Sequence, residues 1–287
     1  MWALRLVWLA LALVGAVAVG EALDARSDAV QLAGTVGAWV GWAGGALAMA
    51  VPAVVTLTIV RAVVPGAIVV AVATAVSGAT AAAVIALLVP AVLATIVVGA
   101  GETGRAFVQA SAYGDEQRFP LRSPIGYLIA TVATWIVMAS ATLVAPLAWA
   151  GRAWVAAVVA SVVVAFGGWT LPRRWHQLSR RWLVVVPAGV VVHDPVVLAE
   201  TLLLRRPEIA GIRLAPASTQ AADLTGPTPG PVLEITTTDA IPAALSPTPR
   251  TPKGRTISLH ALLTAPSRPG AALDECARRR LPVGSGR

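Results

Sequence analysis

The chain has 287 residues, of which 57% are hydrophobic and 13% are charged, and its mean hydropathy is +0.76. Soluble proteins carry about 25% charged residues, so this composition excludes a soluble globular protein and indicates that a bilayer covers much of the apolar material. The high hydrophobicity also excludes a largely disordered chain. Cys276 is the only cysteine, which excludes an intrachain disulfide framework.

The apolar residues fall in blocks that end near Pro172. The block from Ala62 to Ala100 has 39 residues without a charge, about 58 Å of helix, which is too long for one crossing of a roughly 30 Å core. We therefore expect it to reverse at Ser77–Thr80 and cross twice. The N-terminal block is a first span or, as the less favoured alternative, a signal peptide cleaved at Ala16–Ala18. The predicted spans cover residues 4–20, 36–60, 62–77, 80–99, 125–147 and 153–171.

Arginine positions predict the orientation, because positively charged residues concentrate in cytoplasmic loops. The acidic Glu21–Gln31 loop would face outside, and both termini would lie in the cytoplasm of a bacterium, at its plasma membrane. The arginine-bearing segments all lie on the cytoplasmic side only if the 39-residue block crosses the membrane twice. The arginines that then share the cytoplasmic side are Arg5, Arg61, three in the 101–123 loop (Arg105, Arg118, Arg122) and four after the last span (Arg173, Arg174, Arg180, Arg181).

Three glycines of the second predicted span recur every four residues. Gly37, Gly41 and Gly45 would share one helix face and let another helix approach closely. We therefore predict that these three residues pack the bundle.

The C-terminal part has a different composition. Residues 172–287 hold 15 of the 21 prolines, and residues 173–287 carry 15 basic and 8 acidic side chains, a net charge of +7. Residues 173–181 are predicted to form a basic juxtamembrane linker. About six short β-branched runs and an amphipathic helix over 271–281 follow, giving a domain over 182–283 with mobile inserts near 217–231 and 240–255. The predicted fold class is α+β, with a helical membrane bundle followed by a β-rich domain and a C-terminal helix.

A resemblance rests on the segment from Trp182 to Pro195, which reads Trp-Leu-Val-Val-Val-Pro-Ala-Gly-Val-Val-Val-His-Asp-Pro. It resembles the opening strands of PH-like domains appended to bacterial membrane proteins, and the likeness covers about residues 180–283. The whole chain also resembles multi-pass membrane proteins of high-GC Gram-positive bacteria. The resemblance implies a cytoplasmic PH-like fold and assigns no functional residue.

Catalytic and cofactor motifs are incomplete. Gly99–Gly104 matches G-x-G-x-x-G, but neither a strand–helix–strand unit nor an acid about 20 residues further on accompanies it. The three histidines have no cysteine or acid at metal-ligand spacing. We therefore expect no enzyme activity, no cofactor and no metal. Thinly spread positive charge without interleaved aromatic residues argues against nucleic acid as a partner.

The leading hypothesis is a non-enzymatic membrane protein whose basic cytoplasmic domain binds a partner protein or the anionic inner leaflet. The predicted contacts to lipid headgroups are Arg173, Arg174, Arg180 and Arg181. Each would gain about 1 kcal/mol from an anionic surface. The alternative is a transporter or channel subunit formed by the bundle. It is less favoured because the central portions of the predicted spans hold no charged side chain, although broken helices and hydroxyl groups can also bind ligands.

Overall fold

The computed structural model describes residues 2–247 and 251–284. The chain forms two compact units. The first, called the helical unit, comprises Met1–Phe107 and Thr131–Trp175. The second, called the β unit, comprises Val108–Ala130 and His176–Arg287. The chain therefore passes between the two units three times.

Long apolar helices make up the helical unit, and six candidate spans occur among the described residues. Large apolar side chains on these helices point outward, as expected where lipid rather than water surrounds them. The prediction of about six spans is confirmed. The helices are α1 (Trp2–Leu23), α2 (Asp28–Ala50), α3 (Val54–Val63), α4 (Gly66–Val76), α5 (Ala81–Gly99), α6 (Gly101–Gln109), α7 (Ile125–Ala150) and α8 (Trp154–Ser179), with α3 and α4 together forming one span.

The long apolar block reverses where the sequence predicts. Gly78, at φ +95°, lies in the turn between α4 and α5, a backbone conformation that glycine adopts without a steric penalty. Thr80 caps the start of α5, and its hydroxyl accepts the N–H of Ala83 at 3.3 Å. The Glu21 carboxylate accepts both the N–H and the O–H of Thr80, each at 2.8 Å. The end of α1 and the start of α5 therefore meet at one end of the helical unit.

Two span boundaries differ from the prediction. Helix α2 ends at Ala50, and the third span begins at Val54 and continues to Val76. The predicted boundary at Arg61 is therefore wrong, because Arg61 belongs to the third span, where it is the eighth residue. The intervening Val51–Ala53 contains no polar residue, so the hydropathy of the sequence shows no gap where the chain turns.

The segment after the last predicted span is helical. Helix α8 continues through Pro172 to Ser179, so most of the predicted 173–181 linker is the last part of a helix. A proline is tolerated inside a membrane helix because neighbouring groups can satisfy the freed carbonyl. Only Arg180 and Arg181 connect this helix to the strand that begins at Trp182.

The first sheet of the β unit is an antiparallel sheet of four strands. The hairpin turn before its third strand requires Gly189, which has φ +151°, and a Cβ there would lie 2.0 Å from the Leu204 carbonyl oxygen. Its first strand comes from between α6 and α7, whereas the other three follow α8. The strands, in their order in the sheet, are β1 (Gln117–Pro120), β2 (Trp182–Val186), β3 (Gly189–His193) and β4 (Leu202–Arg205).

The second sheet has the strand order β5-β7-β8-β6 and is followed by helix α9 (Pro269–Arg278). Antiparallel pairing joins β5 to β7 and β7 to β8, while the two-residue β6 runs parallel to β8. Its strands are β5 (Ile209–Leu214), β6 (Ala222–Asp223), β7 (Leu233–Leu245) and β8 (Arg255–Thr264).

One core joins the two sheets and α9. It includes Phe119 of β1, Leu183 of β2, Leu233 of β7 and Cys276 of α9. The α+β fold class is confirmed: apolar helices are followed by β-sheets and a C-terminal helix.

The predicted inserts of the β-rich domain contain more regular structure than expected. Residues 240–245 belong to β7, and 241–245 pair with 255–259 of β8, so the loop is shorter than the predicted 240–255 insert. Residues 248–250 of that insert lie outside the described residues. The 217–231 insert contains β6. The mobility of both inserts stays a prediction.

Candidate functional site

Arg181 does not have its predicted role as a contact to lipid headgroups. Its side chain is 1% exposed and makes a two-bond ion pair with Asp194, Nε to Oδ1 at 2.7 Å and Nη2 to Oδ2 at 2.6 Å. Its Nη1 also donates to the Arg122 carbonyl oxygen at 2.8 Å. A guanidinium committed in this way is not available to a lipid headgroup, so the prediction for Arg181 is wrong.

The register of the β2–β3 hairpin explains the pair. Trp182 lies opposite His193, so Arg181 and Asp194, one residue further out on each strand, are cross-strand neighbours. The turn at Pro187–Gly189 sets this register, and both residues are visible in the sequence. The two extended runs on either side of this turn are therefore the sequence signal for the ion pair, and residue composition alone does not show it.

The other three arginines of the basic segment are exposed. Arg173 and Arg174 lie on the last turns of α8, and Arg180 follows its end. The Arg173 guanidinium lies 6.0 Å from the ring centroid of Trp169, one turn earlier. Indole rings favour the interface between hydrocarbon and water, so this pair has the chemistry of a membrane-interface anchor.

The segment between α6 and α7 is an integral part of the β unit. Strand β1 pairs with β2, placing Phe119 opposite Leu183. The Arg279 guanidinium of α9 binds the Asp115 carboxylate at 2.8 Å. Main-chain bonds continue beyond β1, from the Leu121 N–H to the Arg181 carbonyl oxygen and from the Arg122 N–H to that of Ala265, both at 2.9 Å. This interconnected arrangement makes the interhelical segment a part of the β-rich domain, which sequence reasoning did not predict.

A cationic and aromatic stack covers the outer face of the first sheet. The Arg118 guanidinium lies 5.3 Å from the Trp182 ring centroid, and the Trp182 and His193 rings stack with centroids 4.9 Å apart. His193 Nδ1 lies 2.9 Å from the Thr201 hydroxyl. Burial lowers the pKa of His193, and the charges of Arg180 and Arg118 act in the same direction against the opposing effect of Asp194. His193 is therefore a neutral packing residue at neutral pH.

The predicted packing glycines divide into two groups. A Cβ on Gly45 would lie 2.5 Å from the Trp8 ring, so Gly45 allows the close approach of α1 and α2. At Gly37 and Gly41 nothing lies within 4 Å of an added Cβ among the described residues. Gly45 therefore lies at a close contact between α1 and α2, whereas the other two pack against no helix among the described residues.

The helical repeat explains this difference. A four-residue spacing advances 40° round a helix at each step, whereas eleven residues return to within about 20°. Gly34, eleven residues before Gly45, is the second close-contact position, since a Cβ there would lie 2.7 Å from Leu23.

Motifs for other chemistry lack the required local structure. Gly99 ends α5 and Gly101 begins α6, so a helix, rather than the strand of a dinucleotide fold, precedes the G-x-G-x-x-G match. Burial raises the pKa of the Cys276 thiol to about 12, which leaves it protonated and unreactive. Within residues 2–247 and 251–284, no group of three or more His, Cys, Asp or Glu side chains could hold a metal ion.

Helix lengths and composition are those of a multi-pass membrane protein. No family model, curated protein or solved structure matches the chain.

Proposed function

We propose that this chain is a multi-pass protein of the bacterial plasma membrane, with both termini in the cytoplasm, whose β unit is a PH-like domain that binds the anionic inner leaflet. The observation that carries the proposal is the pairing of β1 with β2 across the two intervening spans, α7 and α8. Because the chain enters or leaves the β unit at three places, this domain is tethered to the membrane helices.

Charge supports an anionic lipid surface as the ligand. The β unit contains 15 basic and 10 acidic side chains, a net charge of +5. Arg173 and Arg180 are seven residues apart, or about two helical turns, so they extend along the same side of the segment. With Arg174 they offer three exposed guanidinium groups, together worth about 3 kcal/mol on an anionic leaflet, or roughly a hundredfold in affinity.

The full chain is the right sample for a test, because residues 173–287 alone lack β1. Native mass spectrometry of the purified protein would compare the binding of phosphatidylglycerol with that of phosphatidylcholine. We expect preference for the anionic lipid, reduced by up to about a hundredfold in the triple variant Arg173→Gln, Arg174→Gln and Arg180→Gln.

The matched control for this variant removes three exposed arginines of the β unit that lie outside the 173–181 segment: Arg205→Gln, Arg255→Gln and Arg280→Gln. It should keep the preference for phosphatidylglycerol. Equal binding of the two lipids by the unaltered chain would contradict the proposal and leave a partner protein as the expected ligand of the domain.

The second candidate function is transport by the helical unit. It is favoured by the interruption of the third span, where α3 ends at Val63 and α4 begins at Gly66. Interrupted helices expose backbone groups that can bind solutes at membrane depth. Solute flux into vesicles that contain the protein would support this function, and vesicles as tight as protein-free ones would count against it.

A further inference from the structure

One edge of the second sheet is left open beside the parallel pair of β6 and β8. Strand β6 contributes only two residues, Ala222 opposite Leu262 and Asp223 opposite Leu263. Among the described residues, β8 pairs on this side at Leu262 and Leu263 alone. The earlier part of β8 therefore presents an unpaired edge, and an edge of this kind accepts an additional strand.

A groove of about 580 Å³ lies along this part of β8. One of its walls is formed by residues 258–261 of β8, and the other by the loop that precedes β6, at Pro216 and residues 218–222. Ser258 and His260 are exposed. We call the space between these two walls the edge groove. An extended chain is the shape that lies along a strand edge, about 4.8 Å from it.

Two other strand edges of the β unit are covered by the chain itself. The segment after α9 lies on the edge of β5, where the Ile212 N–H donates to the Pro282 oxygen at 2.8 Å and the Gly284 N–H to the Ile212 oxygen at 2.9 Å. On β1 the Gln109 side-chain oxygen accepts the Arg118 N–H at 2.9 Å. Folded proteins cover strand edges because bare ones recruit further strands. The edge groove is therefore different from the edges for which this domain supplies its own cover.

An arginine held by a buried acid lies in the edge groove. Arg213 Nη2 donates to Glu234 Oε1 at 2.8 Å, and Glu234 Oε2 accepts the Thr219 hydroxyl at 2.7 Å. The Glu234 side chain is 5% exposed and that of Arg213 is 50% exposed. Among the described residues the Arg213 guanidinium makes no other hydrogen bond, so its remaining N–H groups are free to bind a carboxylate.

Charge favours an acidic chain as the occupant. The β unit has a net charge of +5, and opposite charge steers a partner to such a surface. Of the residues that line the groove, only Arg213, Glu234 and His260 are ionisable. Because both oxygens of the Glu234 carboxylate are already bonded within the chain, the exposed guanidinium of Arg213 is the charge that a ligand meets.

We propose that the edge groove binds an extended acidic peptide of a partner protein as an additional strand beside β8. Main-chain hydrogen bonds to the open edge provide the affinity, and the contact between Arg213 and a carboxylate provides the selectivity. The site uses none of the arginines proposed to contact lipid. It therefore goes beyond the binding of the anionic leaflet and does not depend on it.

A phage-displayed library of random peptides of about ten residues tests the proposal on the full chain. Nanodiscs of phosphatidylcholine are the right membrane, because they remove competition from anionic lipid. We expect enrichment, relative to empty nanodiscs, of peptides in which acidic and β-branched residues alternate, since side chains of a strand alternate between its two sides. On binding the most enriched peptide, residues 256–261 should exchange their amide hydrogens more slowly, and β5 should be unaffected.

Variants of the groove separate its shape from its charge. Ser258→Trp places a large ring in the groove and should weaken binding of the synthetic, fluorescently labelled peptide at least about tenfold, measured by anisotropy. Thr256→Trp is the matched control, because Thr256 is exposed two residues earlier on β8 and does not line the groove. Arg213→Gln with Glu234→Gln removes both charges together and should weaken binding about fivefold, as expected for a partly exposed charge pair.

Three results would overturn the proposal. One is a library selection that enriches no sequence over empty nanodiscs. Another is a folded Ser258→Trp chain, or a folded double variant, that binds the selected peptide as tightly as the unaltered chain does. The third is a dimer in native mass spectrometry that Ser258→Trp abolishes, because a second copy of the chain would then be the occupant of the groove.

Discussion

The helical unit and the β unit place similar apolar residues in opposite ways. In the helical unit Leu13, Val76 and Val155 are more than three-quarters exposed, whereas Phe119 and Leu183 of the β unit are at most 1% exposed. Lipid solvates an apolar side chain as well as another helix does, so hydrophobicity in the helical unit does not determine which way a residue faces. In the β unit, apolar side chains avoid water and face the core. The residues along a strand therefore alternate between the core and the solvent.

The two units also treat polar groups differently. In the helical unit the Arg5 guanidinium and the Trp135 indole donate to main-chain carbonyls. In the β unit arginines form ion pairs with acids, as in Arg181 with Asp194 and Arg279 with Asp115. Acidic partners are therefore scarce in the helical unit, which has four acids against ten in the β unit.

The largest expected effect comes from removing one partner of the buried ion pair between Arg181 and Asp194. Asp194→Ala leaves the Arg181 guanidinium buried without its partner and should lower the free energy of unfolding of the β unit by about 3–5 kcal/mol. Urea titration of the protein in nanodiscs, followed by hydrogen exchange of the β strands, measures this loss.

A double variant separates the charge from the packing. Arg181→Met with Asp194→Leu removes both charges together and should recover most of the lost stability. Asp239→Asn, at an exposed acid, should have little effect. A β unit that tolerates Asp194→Ala would mean that the ion pair does not hold the hairpin to the interhelical segment.

An effect of intermediate size on the stability of the helical unit should distinguish Gly45 from Gly41 in α2. Gly45→Leu forces side-chain atoms against the Trp8 ring and should destabilise the helical unit by about 1–3 kcal/mol. Gly41→Leu meets no neighbour among the described residues and should be neutral or slightly stabilising, since leucine favours helix over glycine. Thermal unfolding in detergent provides the readout, and equal shifts for both variants would contradict the packing described for Gly45.

The smallest expected effect is a pH dependence confined to the β unit. Burial lowers the pKa of His193 in the fold, whereas an imidazole in the unfolded chain titrates near about 6.5. The unfolded state then binds more protons, so stability is full above about pH 6.5 and is lost as the pH falls through the folded pKa.

Substitution identifies the residue responsible for this pH dependence. His193→Gln should flatten the decrease in unfolding free energy between about pH 7 and about pH 5, measured by urea titration. His260→Gln, at an exposed position of β8, should leave the decrease unchanged. A slope that persists in full after His193→Gln would contradict the assignment.

Composition was sufficient to predict much of the architecture. The 39-residue apolar block exceeds one bilayer thickness, so length alone predicted the turn at Ser77–Thr80. Alternating β-branched runs predicted β2, β3 and β8, because strand period and turn residues are local signals. The β-rich nature of the C-terminal part followed from these runs.

Features that depend on long-range pairing were not predictable in the same way. Strand β1 has four residues and joins a sheet whose next strand begins more than sixty residues later, and no local pattern specifies that partner. The sequence did not show the end of α2, because the apolar turn at Val51–Ala53 has the same hydropathy as a continuing span. Of the candidate site, the exposure of Arg173, Arg174 and Arg180 fits the sequence hypothesis, whereas the burial of Arg181 depends on the hairpin register.

A disulfide across β1 and β2 tests most directly whether the β unit is built from both chain segments. Gln117 lies opposite Val185, and Val190 lies opposite Val185 on the far side of β2. Gln117→Cys with Val185→Cys, in a Cys276→Ala chain in native membranes, should form a disulfide under mild oxidation, since paired strand positions lie about 5 Å apart. Gln117→Cys with Val190→Cys, two strands apart at about 10 Å, should not. Absence of the first cross-link, or equal yields from both pairs, would contradict the account.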